Sequence, residues 1–562
     1  MNQPLGAVPV PEGVWFSVWS SAVQQLFVDC EGQRFPLQRG PDDVHRAFVP
    51  GFGEGTRYAL VANGRLLMDP YALEIDGPWG TMPRAIVRKL PPAVETQAPL
   101  FSPSGLIYEL SVRAFTMLHP EVPAELRGTL RALLQPAVIG HLKKLRVSAV
   151  ELMPIQAWID EPHLAPLGLR NAWGYNSMNF MALDPRLAPG GLSDLRAVVA
   201  GLRAEGIGVI LDVVFNHTGE SDDEGIVLSL RGLDERAYYR HDADGRLLNE
   251  SGCGNAINCE HPMARQLVMD SLRHYVRYAG VDGFRFDLAP ILGRTRRGFD
   301  PNAPFFRELL SDPVLKDRVL IAEPWDVGPG GYQLGRFPAP FLEWNDRYRD
   351  DVRRFWRGDA CTIGSLVTRV AGSEGVFGGQ QTRTVNYLAS HDGFTLRDLV
   401  SYNEKRNEAN GEQNRDGTNM NYSWSGGAED PRALLATLFA SRGAIMLTAG
   451  DEFGRTQRGN NNAYAQDNEI TWLDWLSRDR DLEAFTAELA RLREEAPQIG
   501  DPRFLRADDV TWLQADGTPF DEAAWNDARS GLVAMKLPEI TVVFDRRAGK
   551  QVSFVKEDVS AA

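Results

Sequence analysis

The sequence predicts a multidomain α/β protein: a central (β/α)8 TIM barrel flanked by an N-terminal β-sandwich and a small C-terminal β-domain. Three observations predict it. From Gly105 onward, short apolar runs alternate with helical segments, the pattern of a mostly parallel sheet. Several of those runs end in acids, His or Asn, as barrel strands do where their carboxyl ends form an active face. The two flanks instead read as short strands separated by turns. The expected divisions are 1–100 for the sandwich, 104–480 for the barrel with a short insertion at 218–260, and 481–562 for the last unit.

Bulk properties bound the function. At 562 residues the chain is too long for one compact domain. Hydrophobic residues make up 43% and charged residues 24%, which fits neither a disordered nor a membrane class. A formal net charge of -15 argues against nucleic acid as a partner and fits a neutral substrate. The start, MNQPLGAVPVPEG, has no basic region before an apolar run, and no stretch is apolar for long enough to span a bilayer. A cytoplasmic protein without a membrane partner is expected. Cys30, Cys253, Cys259 and Cys361 make no disulfide framework for a chain of this size, and no convincing set of metal ligands accompanies them. Neither a metal nor another cofactor is expected.

In the first unit Val14, Phe16 and Val18 alternate with Trp15, Ser17 and Trp19, a period of two. Further strands are expected at Gln25 to Val28, His45 to Val49 and Arg57 to Val61. Trp15 and Trp19 have the shape to stack on sugars, but tryptophan in a small sandwich is more often core or domain interface. After a proline-containing link, Leu90 to Pro103, the barrel strands are expected at Gly105 to Val112, Ala149 to Ile155, Gly208 to His217, Gly283 to Ala289, Val319 to Asp326, Thr384 to Asp392 and Ala444 to Glu452. The sixth strand is the hardest to see and is placed near Phe341 to Asn345. Helices are expected at Asp194 to Glu205, Pro262 to Tyr278 and Leu482 to Glu494. Val510 to Leu513, Leu532 to Leu537, Ile540 to Phe544 and Val552 to Val555 read as the closing strands.

The chemistry centres on GFRFDLAP, Gly283 to Pro290. If this is one strand, Arg285 and Asp287 leave it on the same side. Taken alone, a structural ion pair and a functional pair are equally good readings. The other strand ends decide. Asp212, Asn216 and His217, Asp287, Glu323, His391 and Asp392, and Asp451 and Glu452 all close apolar runs. Uncompensated burial of so many charges costs several kcal/mol each. Glycoside cleavage uses such acids: one carboxylate as nucleophile, one carboxylic acid to protonate the leaving oxygen. Arg285 beside Asp287 would keep it ionised, while an apolar wall of Pro324 and Trp325 would raise Glu323 toward the proton donor's task. Asp392, His217 and His391 are then placed to hold sugar hydroxyls.

LDVVFNH, GFRFDLAP, IAEPWD and LASHDG, in this order, resemble the four signature regions of the α-amylase superfamily of glycoside hydrolases, family 13. The resemblance implies a retaining double displacement with Asp287 as nucleophile, Glu323 as general acid/base and Asp392 as transition-state stabiliser. It also implies that Arg285 and Asp212 orient the nucleophile, that His217 and His391 bind sugar, and that Tyr175 is the ring-stacking aromatic. YELSVRAFT, AWGYN, GCGNAIN and GRTQRGNNNAYAQDNEITWLDW are similar to isoamylase-type enzymes, and the stretch His391 to Ser423 to bacterial glycogen debranching enzymes. That likeness implies α-1,6 cleavage in glycogen or another branched α-glucan, on short outer branches left by phosphorylase.

Two polar segments, 218–258 and Asn403 to Asp430, are expected to shape the pocket for a branch. Asn460 to Asn462, Asp467, Asn468 and Glu469 offer oxygen ligands but no recognisable ligand loop, so they carry no metal assignment. Rival readings are an α-1,4 hydrolase or branching transferase on the same site and, from another class, a noncatalytic glycan-binding subunit. The last should have lost an acid, and none is lost.

Overall fold

The computed structural model describes residues 4–77, 82–547 and 549–556. The outer ends of both flanking units, 1–3 and 557–562, lie outside the described residues. Eight parallel strands close a barrel: β1 (Leu106–Leu110), β2 (Val147–Leu152), β3 (Gly208–Val213), β4 (Gly283–Phe286), β5 (Val319–Ala322), β6 (Leu342–Trp344), β7 (Thr384–Asn386) and β8 (Ala444–Thr448), with β8 pairing back to β1. Seven fall inside the expected stretches, the sixth included, and β2 begins two residues before its own, at Val147. They are shorter than expected at their carboxyl ends. In particular β4 stops at Phe286, so Asp287 is the first residue beyond the strand rather than its neighbour of Arg285 within it.

Helices fill the connections as α/β alternation requires. Pro262–Ala279 shows why such segments are helical: Pro262 opens it where its missing N–H costs nothing, and Gly280 closes it in the left-handed region. Its buried face, including Leu267, Leu272, Tyr275 and Val276, turns to the sheet. Gly283 starts β4 against β5, where a Cβ would meet the Val319 carbonyl oxygen at 2.3 Å. The helix Arg480–Glu495 packs against the barrel, with buried Arg493 donating to the carbonyls of Phe439, Ser441 and Gly443 at 2.7 Å each.

The inside of the barrel is sorted by the strand period of two. Ile107, Ala149, Ile210, Ile321 and Met446 are buried in an apolar plug. Two residues further along stand Glu109, Glu151, Asp212 and Thr448 on their strands and Glu323 just past the end of β5, and Arg285 stands two beyond Gly283. A hydrocarbon floor therefore gives way to a charged layer at the carboxyl mouth.

The N-terminal unit is an eight-stranded antiparallel sheet between Gly6 and Ile86 that folds on itself. Strands Gly13–Trp19 and Arg57–Ala62 have three strands between them in the sheet, yet the rings of Phe16 and Tyr58 meet at 5.0 Å. Trp19 is an interface residue, edge-on to Tyr238 at 5.8 Å, whereas Trp15 is half-buried against Phe48. Part of the segment after β3 serves this interface: the helix Leu230–Tyr238 offers Leu233 to Ser20 and Asp234 to Ser21. The C-terminal unit is a four-stranded antiparallel sheet, Thr511–Leu513, Leu532–Lys536, Ile540–Asp545 and Gln551–Lys556. All four cysteines are free. No helix among the described residues is long and apolar enough to cross a membrane.

Candidate active site

Arg285 organises the mouth. It is 1% exposed, and one guanidinium nitrogen, Nη1, donates to Asp212 Oδ1 at 2.9 Å and to Asp287 Oδ1 at 2.9 Å. The other, Nη2, donates to Glu323 Oε2 at 2.9 Å. The Trp344 ring lies 4.2 Å from the guanidinium carbon. One cation thus holds three acids that would otherwise repel, which is what the fork of arginine allows.

The backbone beyond β4 completes the pair. Leu288 turns into the left-handed region, φ 39°, and its N–H donates to Glu323 Oε2 at 2.9 Å. Asn216 Nδ2 donates to Asp287 Oδ2 at 2.7 Å and to the Asp287 carbonyl at 2.9 Å. Asp287 and Glu323 are thus held side by side by one guanidinium, a pairing of two carboxyls of the kind glycoside cleavage uses.

Their environments split their acidities. Burial works against ionised Asp287, but Arg285 and then His217 outweigh it and hold its pKa below the ordinary carboxylate value. Burial pushes Glu323 well above its ordinary value, with Arg285 opposing and Asp287 reinforcing. The direction is the one expected for Glu323: burial is its first cause, and the carboxyl also touches Arg285 and the Leu288 N–H beside the like charge of Asp287.

Tyr175 donates to Asp212 Oδ2 at 2.5 Å and stacks on His391, with ring centroids 4.7 Å apart and planes at 24°. His391 Nδ1 meets Glu109 Oε1 at 2.7 Å, and Glu109 accepts from Thr448 Oγ1 at 2.7 Å as well. Burial opposes charge on both partners, but each outweighs it for the other: His391 is raised and Glu109 lowered. His217 sits one residue behind Asn216, with Nδ1 on Asn216 Oδ1 at 2.6 Å and Nε2 on the Tyr175 carbonyl at 2.9 Å. Both partners accept, so the ring carries both protons. Burial pulls its pKa down, and Cys253 and Asp287 bring it up to about 9. Its nitrogens are spent within the chain, and its charge supports Asp287. Asp392 differs from the other acids: it is exposed, and its carboxylate accepts no hydrogen bond among the described residues.

All eight residues named from the sequence therefore gather at the mouth. Glu109 and Trp344 belong to the same cluster and were not singled out there. For Glu109 the signal was present, an acid inside the apolar run LIYEL. For Trp344 it was not, since three strand residues show no period.

The polar segment after Asp392 is tied down. Asn407 Nδ2 donates to Asn461 Oδ1 at 2.9 Å, Asn461 N–H returns to Asn407 Oδ1 at 2.9 Å, and Asn460 Nδ2 donates to Asn410 Oδ1 at 2.9 Å. Tyr464 OH donates to Glu412 Oε1 at 2.6 Å and meets His163 Nε2 at 2.9 Å. The Asn460–Asn462 run thus pairs with a loop, and among the described residues no group of three or more His, Cys, Asp or Glu is placed to hold a metal.

A barrel whose carboxyl mouth holds two carboxyls of opposed acidity under a shared arginine has the parts of a glycoside hydrolase. The family description "Alpha amylase, catalytic domain" matches residues 128–250. A glycogen debranching enzyme of Dickeya chrysanthemi is 43% identical, covering 93% of this chain and 89% of its own length. One from Serratia proteamaculans is 41% identical over 93% and 88%. A pullulanase from Bacillus acidopullulyticus shares the fold with a TM-score of 0.77 at 24% identity, over 97% of this chain and 69% of that one. The pullulanase of Anoxybacillus sp. LM18-11, solved with maltotetraose, gives 0.76 at 23%, over 99% and 86%. The chain belongs to the glycogen debranching enzyme family.

Proposed function

We propose that this glycoside hydrolase cleaves α-1,6 branch linkages of glycogen or a related branched α-glucan by a retaining double displacement. The observation that carries the chemistry is the single guanidinium bonded to both Asp287 and Glu323. The linkage rests on relatives of 40–43% identity that share the debranching name.

Asp287 attacks the anomeric carbon while Glu323 protonates the leaving oxygen, forming a glycosyl ester on Asp287. Glu323, now a carboxylate, takes a proton from water, which attacks the ester and releases the sugar with its configuration kept. Arg285 and Asp212 hold Asp287 in line. Asp392, whose carboxylate accepts no hydrogen bond among the described residues, accepts hydrogen bonds from the sugar as positive charge develops on its ring. Tyr175 and His391 form the platform of the adjoining sugar. Short outer branches, as for isoamylase-type enzymes acting after phosphorylase, are the preferred substrate. The support is a wall beside His391, where Trp173 stands edge-on to His391 at 5.0 Å and to Tyr464 at 6.3 Å, and Tyr464 OH donates to Glu412. A cytoplasmic location is supported by the free cysteines. The expected unit divisions, 1–100, 104–480 and 481–562, stand as part of this reading.

The test is product analysis on phosphorylase limit dextrin and, in parallel, on a linear maltooligosaccharide. Short linear chains from the branched substrate alone are expected. Cleavage of the linear substrate moves the reading to an α-1,4 hydrolase or a transferase, and binding without product to a noncatalytic glycan-binding protein.

A further inference from the structure

In the charged layer at the barrel mouth, four buried polar atoms find no hydrogen-bond partner among the described residues. They are both carboxyl oxygens of Glu151, Nε of Arg285 and Nε1 of Trp344. The three residues are 0%, 1% and 2% exposed and face the inside of the barrel. They share a neighbourhood. Trp344 covers the guanidinium at 4.2 Å, and Glu151 stands on β2 beside the strand that carries Asp212, Arg285's partner.

An apolar side chain at position 151 would extend the floor without penalty, whereas an unsatisfied carboxyl there is costly. Burial, reinforced by Asp212 and opposed by Arg285, lifts Glu151 well above the usual carboxylate range, which favours the protonated form with one O–H donor and free acceptor lone pairs. Nε–H of Arg285 and the indole N–H are donors. One acceptor and two donors around a polar interior are the partners a buried water takes.

We propose that Glu151 is a positioning residue: through internal water it completes the hydrogen bonds of the Arg285 guanidinium, and so fixes the plane in which Arg285 presents its other nitrogens to Asp287 and Glu323. This rests on the reading of Asp287 and Glu323 as the reacting pair. Glu151 touches no substrate. Its effect passes through Arg285.

The experiment compares Glu151→Gln and Glu151→Leu with the wild-type protein in kcat, KM and pH profile on phosphorylase limit dextrin, alongside a high-resolution crystal structure of the wild type. Glutamine keeps a donor and an acceptor, so kcat within about twofold and unmoved pH limbs are expected. Leucine keeps the size alone. For it a loss of about tenfold or more in kcat is expected, with KM within about twofold and the acid limb moved to higher pH as Asp287 loses a firmly held Arg285. A merely structural residue would change melting temperature without that limb. The crystal should show ordered water in contact with Glu151 and Arg285 Nε. A leucine variant with wild-type kcat and pH profile overturns the proposal, as does a glutamine variant as impaired as the leucine one, or a dry gap beside Arg285 Nε. If the wild type cleaves no limit dextrin, the functional reading fails, and the water beside Glu151 still decides this one.

Discussion

Replacing Arg285 by lysine asks whether the fork of the guanidinium, and not only its charge, runs the site. Arg285 spreads three carboxyls over two nitrogens, Asp212 and Asp287 on one and Glu323 on the other, each at 2.9 Å. Lysine keeps the charge on a single nitrogen, so it releases at least one carboxyl and gives up the planar stacking on Trp344. At ~1.5–3 kcal/mol for each hydrogen bond to a charged group, loss of one or two contacts at the reacting pair lowers kcat by ~10- to 10⁴-fold. The pH profile moves with a definite sign. Arg285 holds the Asp287 pKa down against burial, so its grip is present above the ordinary carboxylate value and lost as pH falls through the lowered one. A weaker grip raises that lowered value, and the acid limb of kcat/KM shifts to higher pH. Reducing-end release from a branched α-glucan across the pH range measures both. A lysine variant with kcat within a few-fold of wild type and an unmoved acid limb would refute the reasoning.

Three further outcomes are expected. Asp287→Ala and Glu323→Gln each lower turnover by ~10³-fold or more on natural substrate while circular dichroism and melting stay near wild type; substantial activity in either variant removes the role assigned to it. His141, with Nε2 on Glu452 at 2.8 Å, is pulled down by burial but carried up to about 9 by hydrogen bonds to Glu452 and Glu483. The stability from this raised value is fully present below about 6.5 and lost as pH rises through about 9, up to about 3 kcal/mol in all. Denaturation midpoints in His141→Gln should lose that alkaline slope, and an identical slope counts against the pairing. Asn407→Ala removes the partner that Asn407 gives to the Oδ1 and backbone N–H of buried Asn461 and costs about 1–3 kcal/mol locally. Limited proteolysis should then cut within 403–430 sooner, with KM for branched substrate raised, and unchanged cleavage there would show that the amide pairing does not hold the loop.

Much of this arrangement is legible in the chain because barrel strands carry a local signal. Apolar runs ending in an acid identify β3, β4, β5 and β7, and the same pattern places Asp212, Asp287, Glu323 and Asp392 at one mouth. Strand limits were less legible. Arg285 and Asp287 read as neighbours on a strand, yet the ladder ends at Phe286 and the two meet because Leu288 turns the chain. The strands missed in the first unit, among them Gly6–Val10 and Gln33–Arg39, are edge or polar strands whose pairing comes from partners distant in sequence.

By itself the sequence determined the order of elements, the acids available and the residue types at each strand end, because periodicity and composition are properties of neighbouring residues. Tertiary structure alone decided what each group does. That Glu323 touches the same guanidinium as Asp287, that His217 spends both nitrogens on Asn216 and Tyr175, and that Asn407 locks to Asn461 are contacts between segments up to 54 residues apart or on different strands. Burial and opposing charges at such contacts set the protonation of each acid, and no local stretch of chain encodes a distance to a charge that folding brings from elsewhere.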